Sequence, residues 1–467
     1  MNEYTEFLEK KSQLGGGDGF PPHWRPAFLF DFQHALVEWA IHRGRSAIFA
    51  DCGTGKTPMQ LVWAENVVRE TGKRVLIITP LAVTAQTLAE AEKFGIDARR
   101  SQGAKLYDIT VTNYEQLHKF DPTDFIGVVC DESGILKNFD GMRRRMITEF
   151  LRKMPYRLLC TATAAPNDYH EFGTSSEALG DLGYVDMLAK FFTNKNSTIS
   201  PNRIWDAQGW RLKGHAEDAF WRWVTSWARA LRRPSDLGFP DGSFVLPSLT
   251  EVDHVVSVAS APRDPVPLLP RRRSGRLSPK PPPGRGIREE REEARRSIRE
   301  RCELATELVA SHDRPAIVWC HLNQEGDLLD EIIPDAVEVS GSDSTERKEE
   351  VFLAFTRGDV RVLVIKPKIG AWGLNWQHCS DVVYFPSHSL EQYYQAVRRC
   401  WRFGQTRPVT VHRITTEAGQ RQLENLKRKS KQLDAAFARI VAHMNDALGV
   451  RSSSTMNGHV EVPGWLR

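Results

Sequence analysis

A chain of 467 residues is longer than a single hydrophobic core usually serves, so we expect two domains with insertions. Hydrophobic residues make up 41% and charged residues 26%, which is typical of a soluble globular protein, and no run of about 18 apolar residues predicts a membrane span. The net charge of +4 is too small for this length to identify a partner, and the charged N-terminus predicts no secretory signal, so we expect a cytoplasmic protein.

The first half of the sequence alternates short apolar runs with amphipathic stretches. The runs that predict strands are 46–50, 74–80, 108–113, 126–132 and 156–163. Because near-continuous apolar strands that alternate with helices form parallel sheets covered on both faces, an α/β fold is expected. Ligands of such sheets bind at the carboxyl ends of the strands.

The middle of the chain interrupts this alternation. Residues 219–234 have helical spacing, and Trp221, Trp223 and Trp227 either pack in a core or stack on nucleic-acid bases. Residues 261–286 are rich in Pro, Arg and Gly, which predicts a flexible linker or an exposed loop. Residues 287–310 then predict a helix.

A second set of apolar runs follows, which predicts a second parallel-sheet lobe. These runs are 315–320, 335–341, 360–367, 381–386 and 409–414. The resulting division is an N-terminal extension (1–27), a first lobe (28–180), a helical Trp-rich insertion (181–260), the linker (261–286), a second lobe (287–450) and a tail (451–467).

Cysteines do not indicate a metal or a disulfide framework. The seven are scattered singly, with no CxxC pair, at positions 52, 130, 160, 302, 320, 379 and 400. We expect them to be small buried residues in a reducing compartment.

A glycine-containing loop between a predicted strand and a predicted helix indicates a phosphate site. The segment Ala50–Thr57 reads ADCGTGKT, with Ala50 where the strict pattern has Gly. Its expected nucleotide-binding residues are Gly53, Thr54, Gly55, Lys56 and Thr57. The glycines let backbone N–H groups approach phosphate, Lys56 reaches the terminal phosphates, and the hydroxyl of Thr57 ligates Mg²⁺.

Two further sets of residues are expected to complete the chemistry. Asp131 and Glu132 end the apolar run 126–132, where Asp131 is expected to hold Mg²⁺ through a water and Glu132 to activate the attacking water. Gln395, Arg399 and Arg402 lie in QAVRRCWRFGQ, and we expect both arginines on one helix face as cations for the phosphoryl group. The basic clusters at 271–273 and 295–301 are either phosphate-backbone contacts or solvated surface.

These motifs resemble those of superfamily two nucleic-acid-dependent ATPases, and specifically the Swi/Snf branch of double-stranded DNA translocases. The string at 395–405 is similar to QAxxRxxRxGQ, and DESGILKN resembles the DEAH-plus-LKN string with Gly134 in place of His. Phe32–Gln33 resembles the motif whose glutamine reads adenine. The segments 161–168 and 368–377 resemble coupling and DNA-contacting motifs and carry Thr161, Thr163, Gly373 and Asn375, with departures at Ala162, Ala164, Ala371 and Trp372.

The resemblance implies a fold and an activity. It implies two RecA-like lobes in tandem and a monomeric, ATP- and Mg²⁺-dependent enzyme of phage or prophage type that moves along duplex DNA. Such an enzyme grips the DNA backbone with little sequence preference. Three alternatives remain open: a strand-separating helicase, an ATP-gated DNA-binding adaptor, and a motor subunit for a separate nuclease, methylase or replication partner.

Overall fold

The computed structural model describes residues 19–137, 142–194, 210–257, 287–370 and 374–448. The chain divides into two compact units. The first contains Met1–Val245 together with Lys429–Arg467, and the second contains Leu246–Arg428. Across the described ranges, none of the helices has both the length and the apolar character that a bilayer crossing requires.

The first unit is built on a parallel sheet. Its strands are β1 (Arg45–Ala50), β2 (Val75–Thr79), β3 (Ala98–Arg100), β4 (Ile109–Asn113), β5 (Gly127–Asp131), β6 (Tyr156–Cys160), β7 (Phe192–Asn194), β8 (Trp210–Leu212) and β9 (Ala228–Leu231). Seven of the described strands form the sheet in the order β3-β4-β2-β5-β6-β1-β9, and each neighbouring pair is parallel. The strands β7 and β8 form a separate antiparallel ribbon.

Helices connect these strands, as expected for parallel neighbours. They are α1 (Asp31–Arg43), α2 (Lys56–Thr71), α3 (Leu81–Lys93), α4 (Met142–Leu151), α5 (Phe172–Leu179), α6 (Tyr184–Phe191) and α7 (Glu217–Trp227). Short 3₁₀ turns follow β4, β5 and the loop after β6, at Tyr114–Lys119, Ser133–Lys137 and Tyr169–Glu171.

The second unit contains a second parallel sheet. Its strands are β10 (Leu249–Val256), β11 (Ala316–Trp319), β12 (Ala336–Val339), β13 (Val362–Ile365), β14 (Asp381–Tyr384) and β15 (Val409–Thr416), in the order β10-β15-β14-β11-β13-β12. Its helices are α8 (Ile287–Arg296), α9 (Ile298–Ala310), α10 (Asn323–Ile332), α11 (Thr345–Arg357), α12 (Pro367–Gly370) and α13 (Leu390–Val397). The last helix is α14 (Gln420–Leu448), whose residues from Lys429 onward belong to the first unit.

The α/β fold with two parallel sheets is confirmed. Each of the ten predicted runs contains one strand: β1, β2, β4, β5, β6, β11, β12, β13, β14 and β15. The predicted helix at 287–310 is present as α8 and α9, which are separated at Ser297. All seven cysteines fall in the described ranges, and each is buried, as expected.

The expectation of a helix throughout 219–234 is wrong, because α7 ends at Trp227 and β9 follows at once. Every residue of β9 is buried, and Ala228 pairs with Ala47 of the neighbouring β1. Residues 228–231 are therefore a strand of the sheet, although the aromatic spacing of 219–234 favoured a helix. Trp221 and Trp227 are 0% and 1% exposed, so these two rings pack in the core and cannot stack on bases.

The boundaries of the two units differ from those of the predicted domains. The predicted insertion at 181–260 supplies β9 to the first sheet and β10 to the second, so it is not a separate body. Phe20, from the predicted N-terminal extension, is buried in the first unit's core. The predicted linker (261–286) and tail (451–467) lie outside the described residues.

Candidate active site

The loop between β1 and α2 is a tight turn that needs its glycines. Gly53 and Gly55 have φ angles of 87° and 85°, in the left-handed region that favours glycine. A Cβ on Gly55 would lie 2.1 Å from Nε2 of Gln33, so a side chain there would displace the Gln33 amide as well as strain the backbone. The hydroxyl of Thr54 donates to the carbonyl of Asp51 at 2.7 Å and closes the turn.

This loop leads directly into the N-terminus of α2. Gly55 is the N-cap and has no side chain with which to cap the first turn. Helix N-termini present backbone N–H groups and a partial positive charge, both of which favour anions. Lys56 and Thr57, the first two residues of α2, therefore stand where a phosphate chain would bind.

Lys56 is held close to the loop and stays protonated. Its Nζ donates to the carbonyl of Ala50 at 2.9 Å and to the carbonyl of Asp51 at 3.3 Å. Burial lowers the pKa of this ammonium, but attraction to Cys52, Glu132 and Asp131 raises the pKa above its ordinary value overall. A permanently charged ammonium suits a site for polyphosphate.

Asp131 ends β5 in a buried position beside α2. Its Oδ1 accepts a hydrogen bond of 2.6 Å from Nε2 of Gln60, and its carbonyl accepts one from the hydroxyl of Tyr114. Burial raises the pKa of Asp131, and the bond from Gln60 and the charge of Lys56 oppose that rise. Gln60 is not predicted from the sequence, although its position four residues after Lys56 places both on one helix face.

Glu132 is strained, and it contacts the segment that follows β6. Its φ of 49° lies in the left-handed region, which is unusual for a residue with a side chain. The hydroxyl of Thr161 donates to Oε2 of Glu132 at 3.4 Å and accepts from the backbone N–H of Thr163 at 3.1 Å. Thr161 and Thr163 are 2% and 0% exposed, so neither side chain is open to a partner in this structure, and their coupling role stays a prediction.

Gln33, at the start of α1, is tied to the phosphate loop. Its Nε2 donates to the carbonyl of Thr54 at 2.8 Å, and its Oε1 accepts from the N–H of Phe30 at 3.0 Å. Its side-chain amide thus joins α1 to the phosphate loop. Its adenine-reading role stays a prediction.

In the second unit, the predicted shared helix face of Arg399 and Arg402 is wrong. The helix α13 ends at Val397, and both arginines lie in the turns that follow. Arg399 is 4% exposed and donates to the carbonyl of Gln395 at 3.1 Å, to Oε1 of Gln395 at 2.7 Å and to the carbonyl of Leu374 at 3.0 Å. The side chain of Gln395 therefore holds Arg399.

Arg402 shares one of these acceptors but is more accessible than Arg399. Its Nη1 donates to the carbonyl of Leu374 at 3.4 Å, and the residue is half-buried. Leu374 directly precedes Asn375, which is exposed, whereas Gly373 lies outside the described residues. The turn with the two arginines and the loop with Asn375 are thus joined through one carbonyl group.

Part of the chain matches a known protein family. A family model described as helicase conserved C-terminal domain matches residues 300–404, which run from α9 to the turn with Arg399 and Arg402. All of the matched residues lie in the second unit.

Two groups of relatives are also similar to parts of the chain. The bifunctional helicase and thymine dioxygenase JBP2 of Leishmania infantum is 38% identical over 78 residues, which are 16% of this chain and 7% of that protein. The uncharacterized ATP-dependent helicase YqhH of Bacillus subtilis is 25% identical over 169 residues, which are 33% of this chain and 30% of that protein. The chain thus spans less than a third of the length of either relative.

One solved structure aligns with most of the chain. It is the Sulfolobus solfataricus SWI2/SNF2 ATPase core in complex with double-stranded DNA, with 17% identity and a TM-score of 0.41. The alignment covers 94% of this chain and 99% of that chain.

Proposed function

We propose that this protein is a DNA-stimulated ATP hydrolase that couples hydrolysis to translocation along duplex DNA. The observation that carries the proposal is the first unit's constellation of a glycine turn, Lys56 at an open helix N-terminus, and Asp131 with Glu132 at the end of the adjacent buried strand. The match of residues in the second unit to a helicase conserved C-terminal domain supports the same proposal.

The residues present fit a nucleoside triphosphate with Mg²⁺. Gly53 and Gly55 both have positive φ angles and no side chain, which allows backbone N–H groups of this loop to approach an anion. Asp131 and the hydroxyl of Thr57 are oxygen donors, which Mg²⁺ prefers, and they would hold the ion. When bound, Mg²⁺ supplies neutralisation of phosphate charge.

Side chains of the protein are assigned the other roles in hydrolysis. Lys56 binds the terminal phosphates, and Glu132 orients a water and takes its proton. Gln60 fixes the Asp131 carboxylate through its 2.6 Å hydrogen bond. Arg399 and Arg402 of the second unit are assigned the positive charge that a phosphoryl transfer needs.

The decisive experiment measures ATP hydrolysis with duplex DNA, with single-stranded DNA and without DNA. Wild type should be stimulated most by the duplex, and Lys56→Ala should lose turnover because it lacks the ammonium at the phosphate site. Lys73→Ala is the matched control, because Lys73 is exposed just beyond the other end of α2. Equal turnover in Lys56→Ala and wild type would refute the site, and turnover indifferent to DNA would refute the motor.

Translocation is tested separately from hydrolysis. An active motor should displace the third strand of a triplex while leaving a forked duplex paired. Unwinding of the fork would replace this proposal with the strand-separating helicase. ATP-dependent duplex binding without triplex displacement would replace it with the adaptor.

A further inference from the structure

Glu171 is a buried acid that the chemistry above does not use. It closes the 3₁₀ turn Tyr169–Glu171 and precedes α5, and it is 3% exposed. Its two carboxylate oxygens accept from the same residue: Oε2 from the backbone N–H of Asn167 at 3.2 Å and Oε1 from Nδ2 of Asn167 at 2.8 Å. This paired contact fixes both the backbone and the side chain of Asn167.

Asn167 lies near the end of the segment that reaches Glu132. That segment begins at Thr161, directly after β6, where the Thr161 hydroxyl contacts Oε2 of Glu132. The Thr163 N–H bonds back to the Thr161 hydroxyl, so the segment's first turn is closed locally. The other end of the segment is Asn167, six residues after Thr161, and Glu171 holds Asn167 through the two hydrogen bonds above. The segment is thus held at both ends by carboxylates, Glu132 and Glu171.

A buried carboxyl group such as that of Glu171 costs more free energy than a purely structural contact needs. Burying a carboxyl group without a full countercharge costs free energy, and burial raises the pKa of Glu171 to about 7. The hydrogen bonds from Asn167 and the charge of Lys137, from the turn after β5, oppose the rise, and the charge of Asp168 adds to it. A neutral amide would avoid that cost, which suggests that the stronger hydrogen bonds of an ionised acceptor are needed here.

We propose that Glu171 is a positioning residue for hydrolysis, which acts by holding Asn167 so that Thr161 stays against Glu132. The inference rests on the proposed ATP hydrolysis and deepens it. Glu171 touches no reacting group, so its loss should lower kcat while leaving the KM for ATP nearly unchanged.

The test compares Glu171→Gln, Asn167→Ala and the double variant. Glu171→Gln should lower kcat about tenfold or more and change KM by less than about threefold. The double variant should be no slower than the slower single variant, because both changes break one contact. Glu177→Gln is the matched control, since Glu177 lies on α5, the helix that follows Glu171, but pairs with Arg144 at 3.1 Å.

The pH dependence separates positioning from simple stabilisation. In wild type, kcat should rise as pH passes about 7, because the ionised carboxylate then accepts from Asn167, and Glu171→Gln should lack that rise. A variant with unchanged kcat and pH profile but a lower melting temperature would show a purely structural role and overturn the inference.

A readout that does not need activity keeps the two proposals distinguishable. Hydrogen exchange of the peptide that contains residues 161–168 should be faster in Glu171→Gln than in wild type or Glu177→Gln. If wild type does not hydrolyse ATP, the proposed function fails while faster exchange still supports the contact. Unchanged exchange overturns the inference even in an active enzyme.

Discussion

The backbone of Glu132 stores strain at the position where hydrolysis is proposed to occur. Its φ of 49° costs a residue with a Cβ on the order of 1 kcal/mol or more, whereas glycine adopts the same angle freely. Glu132→Ala and Glu132→Gly should both lose turnover, since neither has a carboxylate. Glu132→Gly should nevertheless be more stable than Glu132→Ala, by about 0.5–1 kcal/mol in urea unfolding. Equal stability of the two variants would show that the angle is not a source of strain.

Arg399 and Arg402 are expected to differ in what their loss does. Arg399→Ala removes a buried guanidinium and its three hydrogen bonds to Gln395 and Leu374, so it should lower the free energy of unfolding of the second unit by about 2–4 kcal/mol. Arg402→Ala should cost less than about 1 kcal/mol, because Arg402 is half-buried and the hydrogen bond from its Nη1 to the carbonyl of Leu374 is long, at 3.4 Å, yet it should abolish turnover.

Urea unfolding and ATP hydrolysis of the same preparations check this difference. Nucleotide binding should persist in Arg402→Ala, because Lys56 and the phosphate loop are intact. Normal turnover of a folded Arg402→Ala protein would contradict the role of the second unit in hydrolysis.

At the scale of elements, apolar runs predicted the central strands of both sheets but, among the edge strands β3, β9, β10 and β12, only β12. β5 and β13 are buried at every position and read as continuous apolar sequence. β10 lies at the edge of the second sheet, and its residues alternate between exposed and partly exposed, so LTEVDHVV offers no apolar run. β9 was missed for another reason: the aromatic helical pattern of α7 continues across its boundary, and only pairing with β1 identifies the strand.

The aromatic residues of α7 form a packing element of the first unit. Trp227 is 1% exposed and meets the rings of Phe49, Phe172 and Trp223 at centroid distances of 6.0, 6.4 and 5.6 Å. Trp227→Ala should therefore lower the free energy of unfolding by about 3–5 kcal/mol, and Trp227→Phe by less.

The matched control for Trp227→Ala is Arg222→Ala on the same helix. The side chain of Arg222 is 73% exposed and pairs with the exposed Asp218, so its loss should be nearly neutral. Urea unfolding followed by hydrogen exchange of peptides from β1 and α5 measures both. A Trp227→Ala protein as stable as Arg222→Ala would mean that α7 is not part of the core.

At the scale of the whole molecule, the sequence predicted two sheets but not which unit each segment joins. The residues of the site were found where chemistry constrains their type, as for Lys56, Asp131 and Glu132. Gln60 and Glu171 were not found, because an amide or an acid on a helix is typical of many solvated surfaces and only burial reveals its partner. The return of α14 to the first unit likewise depends on tertiary contacts that no local pattern encodes.

The C-terminal part of α14 should be a structural component of the first unit. Met444 belongs to the same hydrophobic core as α1 and α2, and Asp434 pairs with Arg232 at 2.7 Å. Phe437, 2% exposed, lies under the guanidinium of Arg232 at 4.6 Å. A chain that ends at Arg428 should therefore expose apolar surface on the first unit and lose several kcal/mol of its stability.

Point variants test this without a truncation that could prevent folding. Phe437→Ala should accelerate hydrogen exchange in peptides of α7 and β9 and lower the first unit's free energy of unfolding by about 3 kcal/mol, because it removes a buried ring and a cation–π contact. Lys431→Ala, exposed on the same helix, should leave both unchanged. If Phe437→Ala accelerated hydrogen exchange only in peptides of the second unit, the assignment of this part of α14 to the first unit would be wrong. The ring would then stabilise residues before Lys429 and not the contact with Arg232.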